Sequence, residues 1–203
     1  MLLSGGIDSA TCVFLAKRRY HMRVVTFAFH GIARGELRAA RAIAREAEVE
    51  EHRLIRLPDL REAGDLGVKF EDLPASYIPM RNAVFYSLAA SYAEEAGADY
   101  IVGGHNKDDL SVFRDSGRVF FDRLEGALRA GSERLSRKHF RILTPLQSWT
   151  KTQVIRLAAS LGVPFELTWS CHMEGTKHCW KCEGCVGRTR SFVGAGVADP
   201  LRG

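Results

Sequence analysis

Met1-Leu2-Leu3 is apolar and runs without a break into Ser4-Gly5-Gly6-Ile7-Asp8-Ser9. An apolar strand that turns on two glycines straight into a helix opens a β-α unit, and the rest of the chain repeats that alternation. Ala10, Val13 and Phe14 share one helical face, with Lys17, Arg18 and Arg19 near its end, where cations favour the helix dipole. Val24 to Phe29 is β-branched and aromatic and predicts a buried strand. Residues 35–47 predict a helix with Leu37, Ala40, Ala44 and Ala47 inward, and residues 54–57 a third strand. Residues 81–96 predict a helix ended by Gly97, and residues 100–104 a strand. Phe120, Leu124 and Leu128 mark another helix, and residues 152–161 one more, stopped by Gly162 and Pro164. This order predicts an α/β fold: a doubly wound parallel sheet with helices on both faces. Only Met1 to Leu3 are available for the strand before the glycine loop, which is short for a sheet. Either the start lies upstream or the strand is that short.

Composition excludes some classes. With 46% hydrophobic and 26% charged residues, the chain can build a core and is not globally disordered. Arg and Lys interrupt every apolar stretch, so no transmembrane segment or secretion signal is expected. Lys+Arg 29 against Asp+Glu 24 gives +5, which suits nucleotides, carboxylates or RNA without choosing among them. A reducing, cytoplasmic setting is expected. Two connections, residues 58–80 (with Pro58, Gly64, Gly67, Pro74 and Pro79) and residues 106–118, are long for such a sheet. Both should leave the carboxyl edge, where open α/β sheets bind ligands.

The glycine loop lets the backbone approach an anion, and the first amides of the following helix point at it. Ser4 and Ser9 add hydroxyls. Asp8 is out of place in an anion cradle unless it binds a metal ion or caps the helix. The spacing is not that of a Walker A loop, and a plain helix N-cap is the competing reading.

Cys171, Cys179, Cys182 and Cys185 form C-x7-C-x2-C-x2-C, leaving Cys12 alone on the first helix. Four soft ligands in tight spacing fit tetrahedral Zn²⁺ and leave no open position, so the role should be structural. An iron–sulfur cluster takes the same ligands. Lys177, Lys181, Arg188 and Arg190 are placed to offset thiolate charge, and His172 and His178 read as exposed bystanders. Phe27 and Phe29 read as core, and Cys12 as a small buried residue.

The SGGIDS string closely resembles the PP-loop of ATP pyrophosphatases, which activate a carbonyl or carboxyl oxygen as an adenylate. Together with the C-terminal cysteines, it resembles the 7-cyano-7-deazaguanine synthase family over nearly the whole chain. Pro79-Met80-Arg81-Asn82 looks like that family's PGRN segment, with Met80 where glycine is usual. Gly103 to Asp109 (GGHNKDD), Leu143-Thr144-Pro145-Leu146 followed by Lys151, and Leu167 to Cys171 (LTWSC) also match. The substrate loop departs: where the family has D-x3-YPDC, this chain has Asp109 and then Phe113-Arg114-Asp115-Ser116.

The resemblance implies an ATP-dependent ligase that converts 7-carboxy-7-deazaguanine, or a close analogue, with ammonia to the nitrile on the route to queuosine and archaeosine. It implies ATP, Mg²⁺ and structural Zn²⁺. Leu3, Ser4, Gly5, Gly6, Ile7, Asp8, Ser9, Ala10 and Thr11 form the ATP stretch. Asp8 holds Mg²⁺, Lys151 and Arg81 neutralise phosphate charge, and Asp109 or Asp115 takes the guanine-like N–H edge. Residues 1–165 would be the nucleotide-binding domain and 166–203 the zinc-binding segment. The partners implied are the deazapurine and ammonia, with pairing into a homodimer, no membrane and no need for nucleic acid. Two other readings stand beside it: a PP-loop enzyme that thiolates tRNA, and a non-catalytic nucleotide-binding zinc module.

Overall fold

The computed structural model describes residues 1–71, 73 and 77–202. Pro74, one of the residues that mark the long 58–80 connection, lies outside the described residues. In chain order come α1 (Ile7–Ala16), β1 (Arg23–Phe29), α2 (Arg34–Glu46), β2 (Glu51–Leu57), α3 (Arg81–Ala96), β3 (Tyr100–Val102), α4 (Lys107–Leu110), α5 (Arg118–Ala130), β4 (Arg141–Leu143), α6 (Lys151–Ser160) and α7 (Glu183–Ala195).

Two parallel pairs, β1–β2 and β3–β4, are joined by the first three residues. Leu3 N–H donates to the Val25 carbonyl at 2.9 Å, and Val25 N–H to the Met1 carbonyl at 2.8 Å. On the other side Leu2 N–H donates to the Val102 carbonyl at 2.9 Å. The order across the sheet is β2, β1, residues 1–3, β3, β4. The short first segment is therefore the central member of a doubly wound sheet. Its brevity is tolerated because it is hydrogen-bonded on both edges and alternates between two cores. Leu3 packs with α1, α2, α6 and α7 on one face. Leu2 packs with α3, α5, β3 and β4 on the other.

The sequence reading differs from the structure at several places. β4 is only three residues long, too short to show periodicity. α7 carries three glycines, Gly184, Gly187 and Gly194, and its first turn holds the last cysteine of the ligand pattern, so metal spacing hides its helical period. α7 nonetheless contributes Phe192 and Ala195 to the core that holds Leu3 and Ile7. Arg188, set among the charges near the cysteines, is fully buried instead. Its guanidinium donates to Asp199 at 2.6 and 2.8 Å and to the Phe165 carbonyl at 3.1 Å. Losing one member of such a buried pair costs about 3–5 kcal/mol.

Met80, where a glycine is usual in the family the sequence resembles, has φ +55 and ψ +24, the left-handed region that favours glycine. It caps α3 with an exposed side chain, so little packing offsets the strain. Met80→Gly should stabilise the fold by about 0.5–1 kcal/mol, after allowing for the entropy glycine adds to the unfolded chain. The melting temperature in differential scanning calorimetry should rise by about 2–3 °C.

Candidate active site and metal centre

The Ser4–Ser9 loop leaves the central segment at the point where connections diverge to opposite faces of the sheet, the usual ligand crevice of doubly wound folds. Gly5 sits at φ +88, and a Cβ there would lie 2.5 Å from the Glu36 carbonyl oxygen, so α2 packs directly on the loop. A Cβ on Gly104 would lie 2.7 Å from the Asp8 carbonyl carbon and the Ser9 nitrogen, so the exit from β3 closes on the loop from the other side. The serines fold the loop on itself: Ser4 and Ser9 hydroxyls are 3.1 Å apart, and Ser9 donates to the Gly6 carbonyl at 3.0 Å. No side chain caps α1, which leaves its first amides available. Within the nine-residue stretch expected to contact ATP, Leu3, Ile7, Ala10 and Thr11 are core residues. Ser4, Gly6 and Asp8 remain reachable from solvent.

Asp8 and Lys151 meet in an ion pair between one Asp8 oxygen, Oδ2, and the ammonium. Asp8 Oδ1 is buried with no hydrogen-bond partner. An orphaned carboxylate oxygen is costly unless a ligand satisfies it. Lys151 begins α6, whose start is held by a Thr150–Gln153 capping box. The Lys151 N–H also donates to Asp108 Oδ2 at 3.0 Å, and the Lys107 N–H to the Trp149 carbonyl at 2.9 Å. Asp108 thus clips α4 to α6 and aims Lys151. The sequence reading passed over it, although its neighbours Asn106 and Asp109 form a capping box legible as N-x-x-D.

Asp109 accepts the Asn106 N–H at 3.0 Å. Burial, with the Asp8 charge second, pushes its carboxyl up to about 6, against the pull of that N–H and of Lys151 and Arg81. Arg81 opens α3, and its charge reaches Glu36, Glu62, His105 and Asp109. Burial lifts Glu36 to about 7, a group the sequence did not single out. His105 donates to or accepts from the Tyr86 hydroxyl at 3.0 Å, and burial lowers it to about 4, so it is neutral at pH 7. Asp115 accepts the Asn82 N–H at 3.2 Å, while the Asn82 amide donates to the Asp115 carbonyl at 2.9 Å. That carboxylate therefore anchors the start of α3, with one oxygen engaged there. The structure brings Asp8, Lys151, Arg81 and Asp109 into one electrostatic neighbourhood. Phe27 stacks on Phe85 at 4.2 Å, in the core as expected.

The sulfurs of Cys171, Cys179, Cys182 and Cys185 all lie within 4.8 Å of one another, with pairs at 3.8 and 3.9 Å. One tetrahedral ion with metal–sulfur bonds of about 2.3 Å places its sulfurs about 3.8 Å apart. The spacing of the four sulfurs fits a site for a single metal ion. Backbone amides support the thiolates: Lys181 and Cys182 N–H donate to Cys179 at 3.5 and 3.3 Å and lower its pKa to about 6. His178 is no exposed bystander. It is buried, and its Nε2 accepts the Ser170 N–H at 3.0 Å. The segment also reaches the phosphate loop, because Trp169 N–H donates to the Gly5 carbonyl at 2.9 Å. Cys12 is buried, as expected, and burial pushes its thiol above the ordinary range.

A doubly wound sheet with a glycine–serine loop at its switch point, answered by a lysine from a later helix, is a PP-loop α/β protein. The chain belongs to the family described as queuosine biosynthesis protein QueC, whose family model matches residues 1–196. It is 37% identical to 7-cyano-7-deazaguanine synthase of Thermoplasma acidophilum, over 99% of this chain and 90% of that protein. It is likewise 37% identical to 7-cyano-7-deazaguanine synthase of Stutzerimonas stutzeri, over 100% and 96%. The NMN synthetase of Francisella tularensis shares the fold, with a TM-score of 0.53 and 16% identity over 97% of this chain and 76% of that one. Among the described residues no helix is long and apolar enough to cross a membrane.

Cys182→Ser should remove the metal and, with it, about 10 °C or more of melting temperature, because metal binding to such a site is folding free energy. Elemental analysis of the purified protein should give one metal ion per chain for the wild type and none for the variant.

Proposed function

We propose that this chain is an ATP-dependent carbon–nitrogen ligase that converts 7-carboxy-7-deazaguanine with ammonia to 7-cyano-7-deazaguanine, in queuosine biosynthesis. The observation that carries the reading is the Asp8–Lys151 pair at the mouth of the glycine–serine loop, in a chain of this family. Residues 1–165 act as the nucleotide-binding unit, and 166–203 as the metal-binding segment.

A carboxylate is a poor electrophile. Attack of its oxygen on the α-phosphorus of ATP gives a mixed anhydride and releases pyrophosphate, and ammonia then displaces AMP to form the amide. A second attack, by the amide oxygen on another ATP, sets up loss of that oxygen and leaves the nitrile. Both steps need the same thing from the protein, a place for negative charge that moves from the α-phosphate to pyrophosphate. The Ser4, Gly5, Gly6 and Ser9 cradle and the first amides of α1 take the pyrophosphate. Lys151 and Arg81 neutralise it. The unpartnered Asp8 Oδ1 fits a ligand to Mg²⁺, which when bound supplies charge neutralisation on the phosphates. The four-sulfur site fits Zn²⁺: hard ATP-bound cations do not choose thiolates, and a closed tetrahedral set leaves zinc no catalytic position. Asp109 accepts N–H bonds from the guanine-like edge.

The protein with 7-carboxy-7-deazaguanine, ammonia and MgATP should yield amide and nitrile by mass spectrometry, and absence of both overturns the reading. Lys151→Met should lower kcat/KM by about a hundredfold or more while leaving the fold intact by circular dichroism.

Asp109 also sets a pH dependence. With its carboxyl held up to about 6, it is ionised and able to accept above that pH. The KM for the base should be flat above about pH 7 and rise up to tenfold per unit below about pH 6, by single-proton titration. Asp109→Asn should abolish the slope.

A further inference from the structure

The chain's positive charge has a focus that the nucleotide loop does not use. Arg34, Arg38, Arg41 and Arg45 all stand exposed on α2. At about 3.6 residues per turn those positions fall within an arc of about 60° and span about 16 Å along the helix axis. Glu36 and Glu46, the acidic residues of the same helix, point about 110° or more away from the middle of that arc. Among the described residues none of the four guanidinium groups forms an ion pair with a carboxylate, whereas Arg53 and Arg118 do. Glu174 accepts only the Arg34 backbone N–H, at 3.2 Å, and Arg38 donates to the Gly175 carbonyl at 2.8 Å. Like charges three and four residues apart on a helix repel, so the stripe weakens the helix that carries it.

Alongside the stripe runs an open crevice of about 510 Å³ between α2 and the metal-binding segment. Arg38 belongs to both, and the crevice walls also include Trp169, Trp180 and Lys177. Arg38 lies over the Trp169 ring at 5.8 Å and Arg202 over the Trp180 ring at 4.9 Å, so guanidinium and indole groups sit side by side.

Three features choose among anionic partners. All four stripe cations are arginines, whose planar fork matches phosphate oxygens two at a time. The apolar face of α2, with Ala40, Ile43 and Ala44, is packed in the core, so no apolar side is left to enter a lipid surface. Indoles beside a cationic track suit unpaired bases, which stack on aromatic faces while their phosphates follow the charge. We infer that α2 and the crevice beside it form a docking surface for single-stranded nucleic acid, with phosphates along Arg34 to Arg45 and bases toward Trp169 and Trp180. The proposed ligase reaction does not require this contact, and the inference stands apart from that reading.

Fluorescence anisotropy tests it on the full chain without any ligase substrate, using labelled oligo(U) and oligo(dT) about 12 nucleotides long. The wild type should bind both with a Kd of about 1–100 µM near physiological salt, and log K should fall against log salt with a slope of about −3 for four phosphate contacts. Arg41→Gln/Arg45→Gln should weaken binding about tenfold and flatten the slope by about 1.4. Arg123→Gln/Arg129→Gln, the same charge change on α5, should stay within about twofold of wild type. A duplex of the same length should bind more weakly than either single strand. No oligonucleotide binding by the wild type overturns the inference, as does an unchanged Kd in Arg41→Gln/Arg45→Gln. An equal loss in the two double variants overturns it too, since net charge alone then explains the binding, and so does a duplex bound as tightly as the single strands. Tighter binding of the wild type to polyglutamate or to phosphatidylserine vesicles than to oligo(U) also overturns it, and assigns the stripe to an acidic protein or a membrane surface.

Discussion

Hydrogen bonds from Met1, Leu2 and Leu3 to β1 on one side and β3 on the other hold together two strand pairs that otherwise share no ladder. The consequence is positional. Because the central segment is so short, its carboxyl end delivers Ser4 to Ser9 directly at the divergence of the two helical layers. The loop is then boxed in by backbone, with α2 against Gly5 and the β3 exit against Asp8. A cradle built this way is rigid before any ligand arrives, and preorganised amides are worth more to developing charge than amides that must reorient. The side chains of Leu3 and Ile7, buried in one core, fix the two ends of that cradle.

Electrostatics at this junction is a balance among four groups rather than one ion pair. The Asp8 charge adds to the cost of ionising Asp109, Lys151 lies against Asp8, and Arg81 approaches from α3. Each cation comes from an element whose start is separately secured: α6 by Thr150 and by Asp108, and α3 by Asp115. Carboxylates on the 106–116 segment thus do structural work on the two helices that present positive charge. Lys151 is thereby fixed against Asp8, and the second Asp8 oxygen is left without a partner.

How much of this was legible in the sequence depends on the range of the signal. The glycine loop, the helix from Arg81 to Ala96 and the four cysteines are local patterns, and each stands where spacing placed it. Local pattern alone does not give the central place of Met1 to Leu3, because strand order is set by hydrogen bonds to partners more than twenty and a hundred residues away. The same holds for Arg188. Beside the cysteines it reads as a surface cation, and only the fold brings Asp199 and the Phe165 carbonyl around its guanidinium. His178 was misplaced for a related reason: a histidine among metal ligands reads as exposed, but packing against Trp169 at 4.4 Å buries it. Asp108 fell to a third cause, since three acidic and amide residues within a capping box look like solvated helix-start chemistry until α6 arrives.

The metal centre and the nucleotide loop are joined by a short covalent and hydrogen-bonded path. Cys171 is two residues from Trp169, whose N–H holds the Gly5 carbonyl and whose indole N–H donates to the Cys171 carbonyl at 2.6 Å. The indole lies flat against Gly35 so closely that a Cβ there would overlap the ring, which seats α2, and α2 in turn seats Gly5. An ion held by the four sulfurs would act on the loop only indirectly, through the Trp169 N–H bond to the Gly5 carbonyl. Four thiolates gather a stretch too glycine-rich and polar to pack by itself, and the order they impose passes through Trp169 to the cradle.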